Sequence, residues 1–243
     1  MSMACAMGVP AAESVKVLAG SAVQPAMNEI VPAFERSSGH SVTFDYGTVG
    51  GMAKRVAAGE RADAAIVSGP QMRELAAAGR VLAGTACDLG KTGIGVFVRK
   101  GAAHPRIETP EAFRSAMFAA GSIGYNDPAA GAPVGIYLVQ LFERMGIAGA
   151  MKAKTVVFKD RAERFGAVAR GDVELGFNQV SEIVAQPSVE LVGPLPGSLQ
   201  NYTVLSAGVV ASSERPEAAR EFVRYICAPE ALATLRGRGF EAP

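Results

Sequence analysis

The sequence reads as an α/β chain folded into two lobes with a central cleft. Three observations carry this reading. Short apolar runs suited to buried strands alternate with stretches whose apolar residues recur at helical spacing. The strand-to-helix junctions carry glycine, proline and hydroxyl residues. The strand–helix groups also fall into two successive sets, 13–88 and 92–195, and a last strand with two helices, 203–243, is free to return to the first set. Lobe I is therefore assigned to 13–88 plus 203–243 and lobe II to 92–195, each on a mostly parallel sheet. Ligands of such sheets sit at the carboxyl ends of the strands.

Taken in order, Val15 to Ala19 is a short strand ended by Gly20 and Ser21. Val23, Met27, Ile30, Val31 and Phe34 form a helical stripe that Ser38 and Gly39 stop. Ser41 to Tyr46 alternates as a second strand, and Gly47 to Gly51 opens a helix over Met52 to Ala58. Ala62 to Val67 is a buried strand before a helix that starts at Ser68-Gly69-Pro70. Thr92 to Arg99 is a long strand, and Thr109-Pro110-Glu111 is a capped helix start.

Ser122 to Tyr125 is the next strand, followed by Asp127-Pro128, Gly131 and Pro133 before a helix that reaches Met145. This junction aims free N–H groups at one point, and it contains no Lys or Arg, so an anion bound here would be held by dipoles and hydroxyls. Thr155 to Phe158 and Val173 to Phe177 are strands flanking a helix from Ala162 to Arg170. Asn178 to Glu182 is another junction, and Pro187 to Pro196 reads as a proline-punctuated connection. Tyr202 to Ala211 is a strand, and helices from Pro216 and Pro229 close the chain.

Composition removes several function classes. Of 243 residues, 49% are hydrophobic and 19% charged, which describes a globular chain. A net charge of +1, no Trp and 7% aromatic residues offer no platform for nucleic acid. Cys5, Cys87 and Cys227 are sparse, odd in number and far apart; they read as separate thiols, neither a disulfide framework nor a zinc site. With two histidines, His40 and His104, neither a metal site nor a Ser-His-Asp triad is expected, and no cofactor is. Residues 1–12, apolar and ending in Pro10-Ala11-Ala12, read as the remnant of an export signal.

Two glycine patterns are false leads. Gly84 to Thr92 resembles a phosphate loop, but five residues separate its glycines where four are needed, and it leads into a strand. Gly47, Gly50 and Gly51 follow the second strand with the wrong spacing for a dinucleotide fingerprint. What remains is a set of converging junctions at Ser21, Gly47 to Gly51, Asp127 to Tyr137 and Asn178 to Glu182, two per lobe, suited to a small polar anion.

Several pieces carry a family resemblance: Ala19-Gly-Ser-Ala-Val-Gln-Pro-Ala-Met27, Gly51 to Asp63, Asp127-Pro128 with Pro133-Val-Gly-Ile-Tyr137, and Gly171-Asp-Val-Glu-Leu-Gly-Phe177. From Val15 onward the chain resembles type II periplasmic solute-binding proteins, in the subgroup related to molybdate-binding proteins. The resemblance implies a periplasmic monomer that closes its lobes on a small anion and hands it to an ABC-transporter membrane component. It also implies a ligand set of Ser21, Ala22, Thr48, Val49, Gly50, Val134, Tyr137, Arg164 and Gln179. In molybdate binders, hydroxyl donors occupy the positions of Ala22 and Val49, and a tyrosine that of Gln179. Their loss here implies weak molybdate binding and favours an organic carboxylate. Aconitate isomerase resembles the same subgroup, so the alternative is an isomerase of an unsaturated tricarboxylic acid. Its proton shift needs a base; the candidates are Glu182, Glu163, Tyr137 and Asp127.

Overall fold

The structure is a computed structural model and describes residues 12–243. The export-signal reading and Cys5 lie outside the described residues, save Ala12.

The first lobe begins with β1 (Ser14–Gly20), α1 (Gln24–Ser38) and β2 (Ser41–Gly47). Pro25 sits in the first turn of α1, where its missing N–H costs nothing, and Gly39 ends the helix at φ 77°, in the left-handed region that favours glycine. Next come α2 (Val49–Ala57), β3 (Ala64–Ser68) and α3 (Gly69–Ala77). Thr48 caps α2 by accepting from the Gly51 N–H, and Ser68 with Gln71 forms a capping box on α3.

A long strand, β4 (Cys87–Arg99), carries the chain across to the second lobe. There α4 (Pro110–Ala119), β5 (Ile123–Asn126), α5 (Pro133–Arg144), α6 (Ala148–Lys152), β6 (Thr155–Phe158), α7 (Arg161–Arg170), β7 (Leu175–Gln179), the one-turn α8 (Val180–Ile183) and β8 (Val189–Pro194) follow. β9 (Tyr202–Val209), α9 (Pro216–Ile226) and α10 (Pro229–Gly237) return to the first lobe.

The strand order is β2-β1-β3-β9-β4-β7-β5-β6, with β8 paired to β4. Parallel pairing holds within β2-β1-β3 and within β7-β5-β6. The crossing strands depart from it, because β9 runs antiparallel to β3 and β4, and β4 antiparallel to β7 and β8. β4 serves both lobes, pairing through Cys87–Gly93 with β9 and through Ile94–Arg99 with β7 and β8. It therefore begins five residues before the expected Thr92, inside the stretch that mimics a phosphate loop. The connection read at Pro187 to Pro196 contains β8, which pairs with β4 alone; a strand with one free edge tolerates flanking prolines.

One core packs Val17, Phe34, Ile66, Leu205, Phe222 and Leu235, so the C-terminal helices seal the first lobe, with Phe222 edge-on to Phe34 at 5.3 Å. A second core packs Val96, Phe113, Leu138, Phe142 and Phe177. The reading of three separate thiols is corrected for two of them. Cys87 and Cys227 form a disulfide with Cα atoms 6.4 Å apart, across 140 residues of chain. Residue spacing could not show this, since the start of β4 meets the end of α9 only after the C-terminal helices fold back.

Candidate functional site

The carboxyl ends of the parallel strands from both lobes face one cleft. Ser21, Ala22, Gly47, Thr48 and Val49 line it from the first lobe. Asn126, Ala132 to Val134, Asn178, Gln179 and Glu182 line it from the second. Sequence reasoning thus brings Ser21, Ala22, Thr48, Val49, Val134, Gln179 and Glu182 to one place. Val49 and Gly50 open α2, and Val134 lies in the first turn of α5, so their N–H groups have no acceptor within the helix. Two helix N-termini therefore turn partial positive charge toward the cleft.

The lobes touch across this space. The Thr48 hydroxyl donates to the Ala130 carbonyl at 2.7 Å. Gly50 abuts Gly131 so closely that a Cβ at Gly50 would stand 3.0 Å from the Gly131 oxygen. The cavity that remains is about 30 Å³, room for on the order of one or two water-sized groups. A multi-carbon acid therefore needs the lobes to part further than they do here.

Other expected residues lie elsewhere. Gly50 is a contact between lobes and not part of the cavity lining. Tyr137 turns away: its hydroxyl donates to the Leu199 carbonyl at 3.0 Å, and its ring lies under the Arg144 guanidinium at 5.1 Å. Glu163 is exposed in the first turn of α7, where its N–H donates to the Asp160 carboxylate. Asp127 accepts from the Ala129 N–H, a turn-capping role. Arg164 does not line the cavity either, but it is 1% exposed, and its Nε and Nη2 are buried without a hydrogen-bond partner among the described residues. Burial pushes its guanidinium below the ordinary range, and the charge of Glu182 opposes that shift.

Sequence reasoning missed Arg161 and Asn126, and it placed Asn178 in a converging junction without counting it in the ligand set. Arg161 Nη1 donates to Glu182 at 3.3 Å, and its Nη2 donates to Gln24 of the first lobe at 2.7 Å. It thus ties the one carboxylate lining the cleft to the opposite lobe. Its spacing of three from Arg164 puts the two on one helix face, a signal that was available. Asn178 Nδ2, Gln179 Oε1 and Asn126 Oδ1 are buried without a partner among the described residues. An amide can present either its oxygen or its nitrogen, since the two ends are assigned from the surrounding hydrogen bonds. The arrangement can therefore donate several neutral hydrogen bonds to a small anion. Among the described residues, no group of three His, Cys, Asp or Glu is placed to hold a metal ion, and no helix is long and apolar enough to cross a membrane.

A family model described as bacterial extracellular solute-binding protein matches residues 15–241. An aconitate isomerase from Pseudomonas sp is 33% identical over 237 residues, covering 94% of this chain and 87% of that protein. The molybdate-binding protein ModA of Azotobacter vinelandii is 26% identical over 244 residues, covering 98% and 92%. In three dimensions, a periplasmic molybdate-binding protein of Azotobacter vinelandii superposes with a TM-score of 0.78 at 19% identity, covering 94% of this chain and 99% of that one. At that identity the match speaks for the fold.

Proposed function

This chain belongs to the bacterial extracellular solute-binding proteins, and from that premise we propose that its cleft captures a small anion, as a periplasmic monomer, for an ABC-transporter membrane component. The observation that supports this most is the convergence of the α2 and α5 N-termini with Gln179 and Asn178 on one inter-lobe cavity. Neutral amides and helix ends hold an anion without burying a compensating charge. Ser21 supplies a hydroxyl, that of Thr48 is held by the Ala130 carbonyl until the lobes part, and Ala22 and Val49 supply none.

The test is thermal melting with a panel of molybdate, sulfate and small organic acids, on wild type and Gln179→Ala. Ligand should raise Tm with the logarithm of its concentration relative to Kd. Gln179→Ala should weaken binding by about 1–3 kcal/mol and leave the unliganded Tm nearly unchanged. Equal ligand-induced shifts in both proteins exclude Gln179 from the site. Nanomolar molybdate binding contradicts the reading of Ala22 and Val49, each of which should cost about 1.5–3 kcal/mol for a missing hydrogen bond to a charged group.

A second reading, an allylic proton shift on an unsaturated tricarboxylic acid, is favoured by one feature. Glu182 lines the cleft with its side chain 5% exposed, and a carboxylate beside a bound acid supports a role as the base. Incubation with cis- or trans-aconitate, watching for the other isomer, decides between the two. Isomerisation lost in Glu182→Gln supports the enzyme, and no turnover by wild type removes that reading.

A further inference from the structure

We infer that Arg164 receives a carboxylate of the bound ligand, so that the site takes small di- or tricarboxylates and not a lone tetrahedral oxyanion. This rests on the anion-binding reading above and names the ligand class.

The buried side-chain polar atoms left without a partner among the described residues belong to Asn126, Arg164, Asn178, Gln179 and Ser181. All five lie at the carboxyl end of the lobe II sheet: Asn126 ends β5, Asn178 and Gln179 end β7, and Arg164 and Ser181 sit in the first turns of α7 and α8. Buried side-chain polar groups elsewhere among the described residues are satisfied. Asp63 accepts from the Lys16 N–H and from Ser213, His40 accepts from the Glu13 N–H, and Ser206 donates to Asp88. Unsatisfied polarity is thus concentrated at one end of this sheet, where Asn126, Asn178 and Gln179 line the cleft and the Arg164 guanidinium lies buried behind the lining.

A buried guanidinium with Nε and Nη2 left unpartnered is a costly arrangement in a protein that uses it only for packing. The Phe165 ring, at 5.4 Å from Arg164 Cζ, is a partial substitute for a carboxylate. Glu182 lines the cleft and its charge acts on Arg164, yet its hydrogen bond goes to Arg161. A ligand carboxylate entering beside Glu182 would meet the guanidinium fork, which pairs with carboxylates in two parallel hydrogen bonds. The Ser21 hydroxyl and the α2 N-terminus of the first lobe would hold a second anionic group. Two anchors on opposite lobes match a ligand with at least two charged ends.

The experiment compares wild type, Arg164→Met and Arg164→Lys by thermal melting, unliganded and with malate, citrate, trans-aconitate or molybdate at equal concentration. Wild type should be stabilised by at least one of the acids and not by molybdate. Arg164→Met should melt at or above wild type without ligand, because an unpaired buried charge has been removed. Its affinity for the acid should fall on the order of a hundredfold or more, from the loss of two charge-assisted hydrogen bonds. Arg164→Lys should keep a reduced ligand shift, and this variant decides the matter if Arg164→Met does not fold. An unchanged ligand shift in either variant overturns the role of Arg164. Stabilisation of wild type by molybdate alone overturns the ligand class and leaves the anion-binding cleft standing. Stabilisation by no anion overturns both.

Discussion

Gln200 completes the backbone hydrogen bonding of Ile94: the Ile94 N–H donates to Gln200 Oε1 at 2.8 Å, and Gln200 Nε2 donates to the Ile94 carbonyl at 3.0 Å. Ile94 lies where β4 changes partners, between Gly93 opposite Tyr202 of β9 and Gly95 opposite Pro194 of β8. The side chain thus bridges the break in the ladder at the crossing between lobes. Gly93 makes room for it, since a Cβ there would stand 2.9 Å from the carboxamide.

Gln200→Ala should therefore destabilise the protein by about 1–3 kcal/mol, because it leaves the buried Ile94 N–H unpaired, while the Ile94 carbonyl keeps the Leu195 N–H. Urea titration reads the loss, and small-angle scattering should show a broader range of lobe separations. A variant matching wild type in both measurements would show that the bridge carries no weight at the crossing.

Gly50 is expected to act on closure. Any larger residue must push against the Gly131 backbone on the opposite lobe, which cannot move aside as a flexible side chain would. Gly50→Val should leave the circular dichroism spectrum near normal, abolish ligand-induced compaction and weaken ligand binding. Compaction equal to wild type would show that the two glycines need not meet.

Breaking the Cys87–Cys227 disulfide should cost about 2–5 kcal/mol, as it does for staples that close long stretches of chain. Denaturation with and without reductant measures this, and Cys227→Ser should match the reduced wild type. No effect of reductant on wild type would mean that the bond does not form. The disulfide also suits an oxidising compartment.

The ionic cluster on the first lobe sets an acid limit. Arg55 Nε donates to Glu60 at 2.6 Å, and this hydrogen bond holds the Glu60 carboxyl down at about 2 from an ordinary 4.5. Asp45 is lowered as well, again through its hydrogen bond to Arg55. A lowered carboxylate contributes stability in full above its unfolded value and loses it as pH falls through its folded value. Stability should thus decline between pH 4.5 and about 2. The decline should be shallow and salt-sensitive, because the groups face solvent. Arg55→Gln should flatten it, and parallel pH curves for the two proteins would exclude the cluster as its source.

Much of the fold was legible because the helices announce their ends. Thr109-Pro110-Glu111, Ser68-Gly69-Pro70 and Ser38-Gly39 each satisfy a local backbone requirement that few other residues meet. β8 was hidden by its prolines, which argue against a strand until its free edge is known. The cavity lining was legible where it lies at strand ends or helix starts, as for Ser21, Thr48, Val134 and Gln179. Tyr137 was misplaced because it lies four residues after α5 opens at Pro133, just over one helical turn, and that turn carries its ring toward Leu199.

By itself, the sequence determined the alternation of strand and helix, the two-lobed class and the junctions that line the cleft. These follow from periodicity and capping, which act over a few neighbouring residues. Tertiary structure alone decided which groups meet across the chain: Cys87 with Cys227, Gln200 with Ile94, Arg161 with Gln24, and Gly50 with Gly131. Periodicity tells which face of a segment is buried but not what lies opposite it. That is set by how the lobes pack and close, and so the burial of Arg164 beside Glu182 became visible only in the folded molecule.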